Sequence, residues 1–124
     1  MGCFILGLDG DTPEVFDEVL RFVRQSGLYE VQVTFLTPFP GTPLYHRLKA
    51  EGRILRDRAW DLCTLFDINL QPRQMSVAEL QSGFMGLVKE LYSAEETATR
   101  RRNFKRRYRT QRRQTPRSEL ATAA

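Results

Sequence analysis

The chain has few of the side chains that bind metals. Its 124 residues include two cysteines, Cys3 and Cys63, and a single histidine, His46. The cysteines stand far apart and form no CxxC or Cys/His cluster, so the ligand spacing of a zinc site is absent. We therefore expect two reduced, packed thiols, and we expect His46 to lie at the surface of a helix rather than in a catalytic site.

Long apolar stretches are also missing. No run of about 18 apolar residues occurs, so the sequence predicts no membrane-spanning helix. The N-terminus has neither the basic region nor the apolar core of a secretory signal peptide, which predicts a cytoplasmic protein. At 124 residues, 41% of them hydrophobic, the chain is long enough for one domain with a core and for no more than one.

The net charge of +4 conceals two oppositely charged parts. Residues 1–99 carry 9 Lys/Arg and 14 Asp/Glu, a net charge of −5. Residues 100–124 carry 10 Lys/Arg and one acid, a net charge of +9. The chain is therefore a mildly acidic body followed by a strongly basic tail, and the overall charge describes neither part.

The N-terminal third predicts a βαβ unit. The unbroken apolar run 3–6 is typical of a strand that is covered on both faces, as in parallel sheets. Thr12 and Pro13 predict the N-cap and first residue of a helix, whose apolar side chains recur at helical spacing until Gly27 closes it. A second strand is predicted over 30–37, and the crossover between the two strands should be right-handed.

The stretch 34–45 is where the second strand ends and the next helix begins. Its three prolines cannot donate a backbone N–H, so they end the pairing of the strand. Gly41 permits a tight turn, and Thr42 before Pro43 fits an N-cap followed by the first helical residue. In βα folds such a corner lies at the carboxyl end of the sheet, where ligands bind.

The remaining segments complete the predicted fold. A third strand is predicted over 62–70, where side chains alternate before Pro72, and the capping box Ser76–Glu79 opens an amphipathic helix that ends near Tyr92. The sequence thus predicts an α/β fold: a partial (β/α) barrel with about three parallel strands, a C-terminal helical extension and a basic tail. Three strands are too few to close a barrel, which takes about eight, so we expect a piece of something larger.

Two corners that contain glycine carry a family resemblance. Residues 2–12 (GCFILGLDGDT) and 36–45 (LTPFPGTPLY) resemble two late βα corners of radical S-adenosylmethionine enzymes, in the branch that has an N-terminal cobalamin-binding domain. The stretch from Pro72 to Tyr92 resembles the C-terminal extension of the same proteins. The resemblance implies three parts: residues 1–61 with the C-terminal βα units of the barrel, 62–93 with its last strand and the helical extension, and 94–124 with an Arg-rich helix and a disordered tail.

The resemblance also implies a cofactor site. In this family the fifth and sixth barrel strands line the S-adenosylmethionine pocket, and the fifth carries a GxIxG-like motif beside the adenine. Gly7 matches the second glycine of that motif and Ile5 its apolar position. Leu36 and Thr37, at the end of the following strand, would lie near the cofactor. The alternative for all four residues is ordinary packing at the ends of strands.

The sequence lacks the catalytic motif of that family. The reaction needs a four-iron four-sulfur cluster held by CxxxCxxC, and neither this motif nor a cobalamin-binding domain occurs here. S-adenosylmethionine, the cluster and cobalamin would be cofactors of the full-length enzyme, which would methylate a carbon or perform related radical chemistry. We expect this chain to be inactive alone, either as a truncated copy or as the partner of an N-terminal part supplied as a separate chain.

Asp9 and Asp11 flank Gly10 at the predicted end of the first strand. Their carboxylates could bind a ribose hydroxyl or a cation. Alternatively, Asp11 stabilises the N-terminus of the following helix by its charge.

The basic segment 100–113 supports a second hypothesis about function. Its arginines are interleaved with Phe104 and Tyr108, a pattern that can contact phosphates and stack on bases. The chain would then be a small basic-tailed nucleic-acid-binding module, or would bind an acidic partner or a membrane surface, through residues 100–117. The alternative is a solvated helix in which Phe104 and Tyr108 form a narrow apolar stripe that docks on the body.

Overall fold

The computed structural model describes residues 1–114, so the tail predicted over 115–124 lies outside the described residues. The described part is α/β, as predicted. Its elements are β1 (Gly2–Leu6), α1 (Val15–Ser26), β2 (Val31–Phe35), α2 (Pro43–Ala50), a 3-10 turn (Trp60–Leu62), α3 (Val77–Leu91) and α4 (Ala94–Gln114). The two strands pair in parallel, with Gly2 opposite Val31 and Leu6 opposite Phe35. They form the predicted βαβ unit with α1.

One face of the sheet carries the hydrophobic core. Leu6, Val33 and Phe35 are buried in one cluster with side chains of α1 and α3. The ring of Phe35 lies on that of Phe84 of α3, with 4.0 Å between their centroids. The two helices cover this face and pack against each other. The other face of the sheet is therefore the one that a ligand or another segment can reach.

Three of the helix ends that local signals predict are confirmed. The Thr42 hydroxyl accepts a hydrogen bond from the Tyr45 N–H at 3.2 Å and caps α2. Gly27 closes α1 with a φ of 73°, a conformation that glycine adopts without strain. The capping box at Ser76 and Glu79 is present with both of its hydrogen bonds.

The predicted start of the first helix is wrong by two residues. Helix α1 begins at Val15, and Glu14, not Thr12, stands at its N-cap position. The hydroxyl of Thr12 donates to the carboxylate of Glu14, and the Thr12 carbonyl accepts from the Val15 N–H at 3.0 Å. Thr12 therefore begins a turn that precedes the helix.

The predicted third strand is also wrong for the described chain. Over 62–70, Leu65 has a φ of 70°, and the Thr64 hydroxyl donates to Asp67 and accepts from the Phe66 N–H. These local bonds make a turn in place of a strand. A single backbone hydrogen bond, from Phe35 N–H to the Leu65 carbonyl at 2.8 Å, joins this segment to β2. The sheet thus has two parallel strands in residues 1–114, not the predicted three or so, and the partial barrel stays a prediction.

Residues 53–71 form a loop that is closed at its base. Ile54 and Leu70 make an isolated antiparallel bridge. The buried side-chain amide of Asn69 donates to the Arg56 carbonyl at 3.0 Å and accepts from the Arg56 N–H at 2.9 Å. The sequence pattern assigns Asn69 to one face of a strand. Instead, its side chain bonds the backbone of Arg56 across the loop and holds the two sides of the loop together.

Candidate cofactor-binding face

The sheet face opposite the core is uncovered along β1 and mostly covered along β2, where Gln32 is half-buried and Thr34 is buried. Cys3 and Ile5 of β1 are exposed, and 52% of the Ile5 surface is accessible. The strand register places them beside Gln32 and Thr34 of β2. Parallel strands are normally covered on both faces, so the half-exposed isoleucine makes this face a candidate contact surface. We call these four side chains the free face.

The half-buried Leu36 continues the free face at the carboxyl end of the strands, and the buried Gly7 lies beside it. The Leu36 N–H donates to the Leu6 carbonyl at 2.7 Å, so the pairing extends one residue beyond β2. Gly7 has a φ of 96°, and a β-carbon there would lie 3.2 Å from Leu80 of α3. The turn after β1 and the packing of α3 therefore require a glycine at this position, whatever binds to the corner.

The structure brings three of the four predicted site residues together. Ile5 and Leu36 lie on the same side of the sheet by strand alternation, and Gly7 lies next to Leu36. Thr37 is turned inward: 7% of its surface is exposed, and its hydroxyl donates to the Phe35 carbonyl at 3.2 Å. Contact of these residues with S-adenosylmethionine stays a prediction.

Asp11 shapes this corner from within the chain. Its Oδ2 accepts hydrogen bonds from the Gly7 N–H at 2.9 Å and from the Leu8 N–H at 3.0 Å. The carboxylate thereby satisfies the two backbone donors that follow β1. Helix α1 starts only four residues later, so neither of the two sequence hypotheses for Asp11 describes what this carboxylate does.

Asp9 is held by two arginines beside the same corner. Its Oδ2 accepts from Arg47 at 2.7 Å and its Oδ1 accepts from Arg53 at 2.8 Å. The hydrogen bonds from Arg47 and Arg53 lower the pKa of Asp9 to about 2. Both carboxylate oxygens already bind guanidinium groups, so the geometry does not support a ribose or cation site at Asp9.

This cluster fixes α2 and the segment after it to the β1 corner. Glu51 adds a second acid, which accepts from Arg53 at 2.8 Å. Sequence reasoning missed the cluster, because Asp9 lies 38 positions from Arg47 and 44 from Arg53. No local pattern indicates pairing over such distances.

The described residues do not fit an iron–sulfur cluster. Among residues 1–114 there is no group of three or more His, Cys, Asp and Glu side chains that could hold a metal ion. Cys3 lies exposed on the free face, and Cys63 lies partly buried in the loop after α2. An iron–sulfur cluster is held by several grouped thiolates, so this part of the chain does not supply its ligands.

A groove of about 500 Å³ lies along the outer edge of β2. It runs between this strand and α3, and Phe35, Phe66, Phe84 and Met85 are among its lining residues. The Tyr92 hydroxyl donates to the Val31 carbonyl at 3.0 Å at the same strand edge. The groove is on the core side of the sheet, so it is separate from the predicted cofactor face.

Helix α4 docks on the body through one of its faces. Arg100 is 5% exposed and donates to the carbonyls of Leu91 at 3.0 Å and Tyr29 at 3.3 Å. Phe104 packs edge-on against Tyr29, with 5.3 Å between the ring centroids. Docking of the aromatic stripe is thus confirmed for Phe104. Arg100, which the sequence places among the phosphate-binding residues, is a structural residue.

The helices of residues 1–114 are all too short or too polar to cross a bilayer, as the sequence predicts.

Comparison with known proteins identifies relatives of this fold. The family described as "Domain of unknown function (DUF4070)" matches residues 42–124. A bacteriochlorophyllide d C-12(1)-methyltransferase of Chlorobaculum tepidum is 30% identical over 91 residues, which are 73% of this chain and 19% of that protein. A hopanoid C-2 methylase of Rhodopseudomonas palustris is 43% identical over 53 residues, 43% of this chain and 10% of that protein. An uncharacterized methyltransferase of Synechocystis is 38% identical over 55 residues, 44% of this chain and 10% of that protein.

No solved structure shows a significant match to the chain. The matched segments span between a tenth and a fifth of the length of these curated relatives. The family match includes the Thr42 cap, α3 and α4, and each of the three relatives is named as a methylase or methyltransferase. The chain therefore belongs to the DUF4070 family, the C-terminal domain of cobalamin-binding radical S-adenosylmethionine methylases.

Proposed function

We propose that this chain is the C-terminal part of a longer cobalamin-binding radical S-adenosylmethionine enzyme that methylates a carbon atom, and that its free face forms part of the wall of the S-adenosylmethionine pocket. The family match and the names of the relatives support the reaction class. The small share of each relative that the chain spans supports its being a part of a larger protein.

The observation that carries this proposal is the half-exposed Ile5 in a strand whose opposite face is packed. In a (β/α) barrel, helices cover the outer face of the sheet and the inner face lines the interior. Helices α1 and α3 cover one face here, as barrel helices do. The free face then corresponds to the inner wall, and its carboxyl end is where ligands of such barrels bind.

The chemical character of the free face suits a binding role. Ile5 and Leu36 are apolar, and the neighbouring Cys3, Gln32 and Thr34 are uncharged. Such a surface excludes water from one side of a flat adenine ring. When bound, S-adenosylmethionine supplies the methyl group and the radical precursor of the family's reaction. The described residues offer this cofactor a binding surface and no metal ligands, so we expect the chain to be inactive alone.

The test uses the longer protein, identified by translating the nucleotides upstream of the Met1 codon in all three frames. Replacing Ile5 or Leu36 with glutamate places a carboxylate against the adenine, and burial of an unpaired charge should weaken S-adenosylmethionine binding at least about tenfold. Leu55→Glu, at a similarly exposed leucine on the loop after α2, is the matched control and should bind normally.

Two results would overturn the proposal. One is the absence of a CxxxCxxC motif from every upstream frame and from any copurifying chain. The other is unchanged cofactor affinity in both free-face variants, since an uninvolved surface tolerates a carboxylate.

A further inference from the structure

We propose that the outward face of α4 is a docking ridge for anionic lipid headgroups, through which the protein binds the surface of negatively charged membranes. This inference does not depend on the proposed function. The ridge consists of Arg102, Lys105, Arg106, Arg109 and Arg113.

The five cations form one narrow stripe. At about 100° per residue they fall within a sector of roughly 100°, and at 1.5 Å per residue they extend over about 16 Å. All five side chains are exposed, and none forms an ion pair with a carboxylate of the described residues. The sequence has no acidic residue between 97 and 118, so no acid within this part of α4 reduces the charge of the ridge.

The ridge lies on the side of α4 opposite the docked face. Arg100, Phe104 and Arg107 hold the helix on the body. The first two contact Tyr29, and Arg107 donates to the Gln25 carbonyl at 3.4 Å. By helical angle these three residues centre about 180° from the ridge. The ridge is therefore held outward by a buried arginine and a packed ring, so a flat surface can meet all five cations at once.

The surroundings of the ridge favour lipid headgroups over nucleic acid. Proteins that bind single strands stack bases on free aromatic faces. Here Phe104 and Tyr108 stack on each other at 6.2 Å, and Arg112 lies over the Tyr108 ring at 6.0 Å. The ridge itself contains no aromatic residue. The ridge is a straight row of five positively charged side chains. Clusters of four to eight basic residues on a helix bind anionic membrane leaflets.

The experiment measures cosedimentation of the full chain with large vesicles. One set contains equal amounts of phosphatidylglycerol and phosphatidylcholine, and the other contains phosphatidylcholine alone. We expect binding to the first set only. Because each basic residue near an anionic surface contributes roughly a fivefold gain in affinity, Arg106→Glu with Arg109→Glu should weaken binding by more than about 25-fold. Arg106→Gln with Arg109→Gln should weaken it by about 25-fold.

Arg21→Glu with Lys89→Glu is the matched control, because it changes the net charge equally at exposed positions of α1 and α3. This control should keep at least a third of the wild-type affinity. Far-ultraviolet circular dichroism of each variant establishes that α4 is retained. The proposal would be overturned if the chain did not bind the anionic vesicles, or if the control and ridge variants lost affinity equally. It would also be overturned if duplex or single-stranded RNA, at an equal concentration of phosphate, displaced the chain from the vesicles.

Discussion

Arg100 provides the sharpest test of how α4 is attached. It is a buried cation whose Nη1 donates to the carbonyl of Leu91, the last residue of α3, and whose Nε donates to the carbonyl of Tyr29. A carbonyl at the end of a helix has no partner within the helix, and the negative end of the helix dipole favours a cation there. Arg100→Met keeps much of the apolar volume and removes both bonds, so we expect it to destabilise the protein.

The magnitude follows from the two distances. A hydrogen bond from a charged donor contributes about 1.5–3 kcal/mol, and the 3.0 Å bond to Leu91 is the stronger of the two. The 3.3 Å bond to Tyr29 adds less, and relief from burying a charge offsets part of the loss. We therefore expect Arg100→Met to lower the free energy of unfolding by about 2–3 kcal/mol. Arg100→Lys should lower it by about 1 kcal/mol, because lysine retains the charge but not the planar fork.

Equilibrium urea unfolding, followed by circular dichroism in the helical band, measures these differences. Arg102→Met is the matched control, since Arg102 is exposed and should change stability by less than about 0.5 kcal/mol. If Arg100→Met were as stable as the control, the buried bonds would contribute nothing. The attachment of α4 would then rest on its aromatic contacts.

Two further predictions concern the β1 corner. Asp9→Asn should cost about 1 kcal/mol near neutral pH, a value reduced from the full pKa shift because the pair is partly exposed to solvent. The lowered pKa of Asp9 means that its contribution is present above about pH 4 and is lost as the pH falls toward 2. The free energy of unfolding, measured against pH, should therefore fall less in the variant than in the wild-type protein as the pH is lowered. Equal falls in the two proteins would contradict this. Gly7→Ala should destabilise by about 1–2 kcal/mol, because of its positive φ and the contact with Leu80. Gly10→Ala, which meets nothing within 4 Å, should have little effect on the midpoint of thermal unfolding, and equal midpoints for the two variants would refute the assignment.

Local signals predicted three helix ends correctly, although the signal at Thr12 and Pro13 placed the start of α1 two residues too early. The Thr42 cap, the Ser76 capping box and the Gly27 helix end all specify their hydrogen bonds within a few residues, and all three are present. Alternation over 62–70 misled for a physical reason. A strand needs backbone hydrogen bonds to a neighbouring strand. Here the Phe66 N–H donates to the Thr64 hydroxyl within the turn and is not available for such pairing.

The resemblance singled out Ile5, Gly7 and Leu36, and their role in binding a cofactor stays a prediction. In the fold, Ile5 and Leu36 lie on one side of the sheet, and Gly7 lies beside Leu36. Thr37 turned inward because its hydroxyl bonds to the backbone two residues earlier, a local choice that threonine makes often. The structural role of Arg100 required tertiary structure, because its partners are 9 and 71 positions away.

The size of the native polypeptide tests the central claim most directly. An antibody raised against this chain can be used to blot extracts of the source cells and to recover the protein for peptide mass spectrometry. Since the matched segments are between a tenth and a fifth of the relatives, the account predicts a band several times heavier than 14.4 kDa, with peptides that include a CxxxCxxC motif. A single band at 14.4 kDa that copurifies with no larger chain would contradict it.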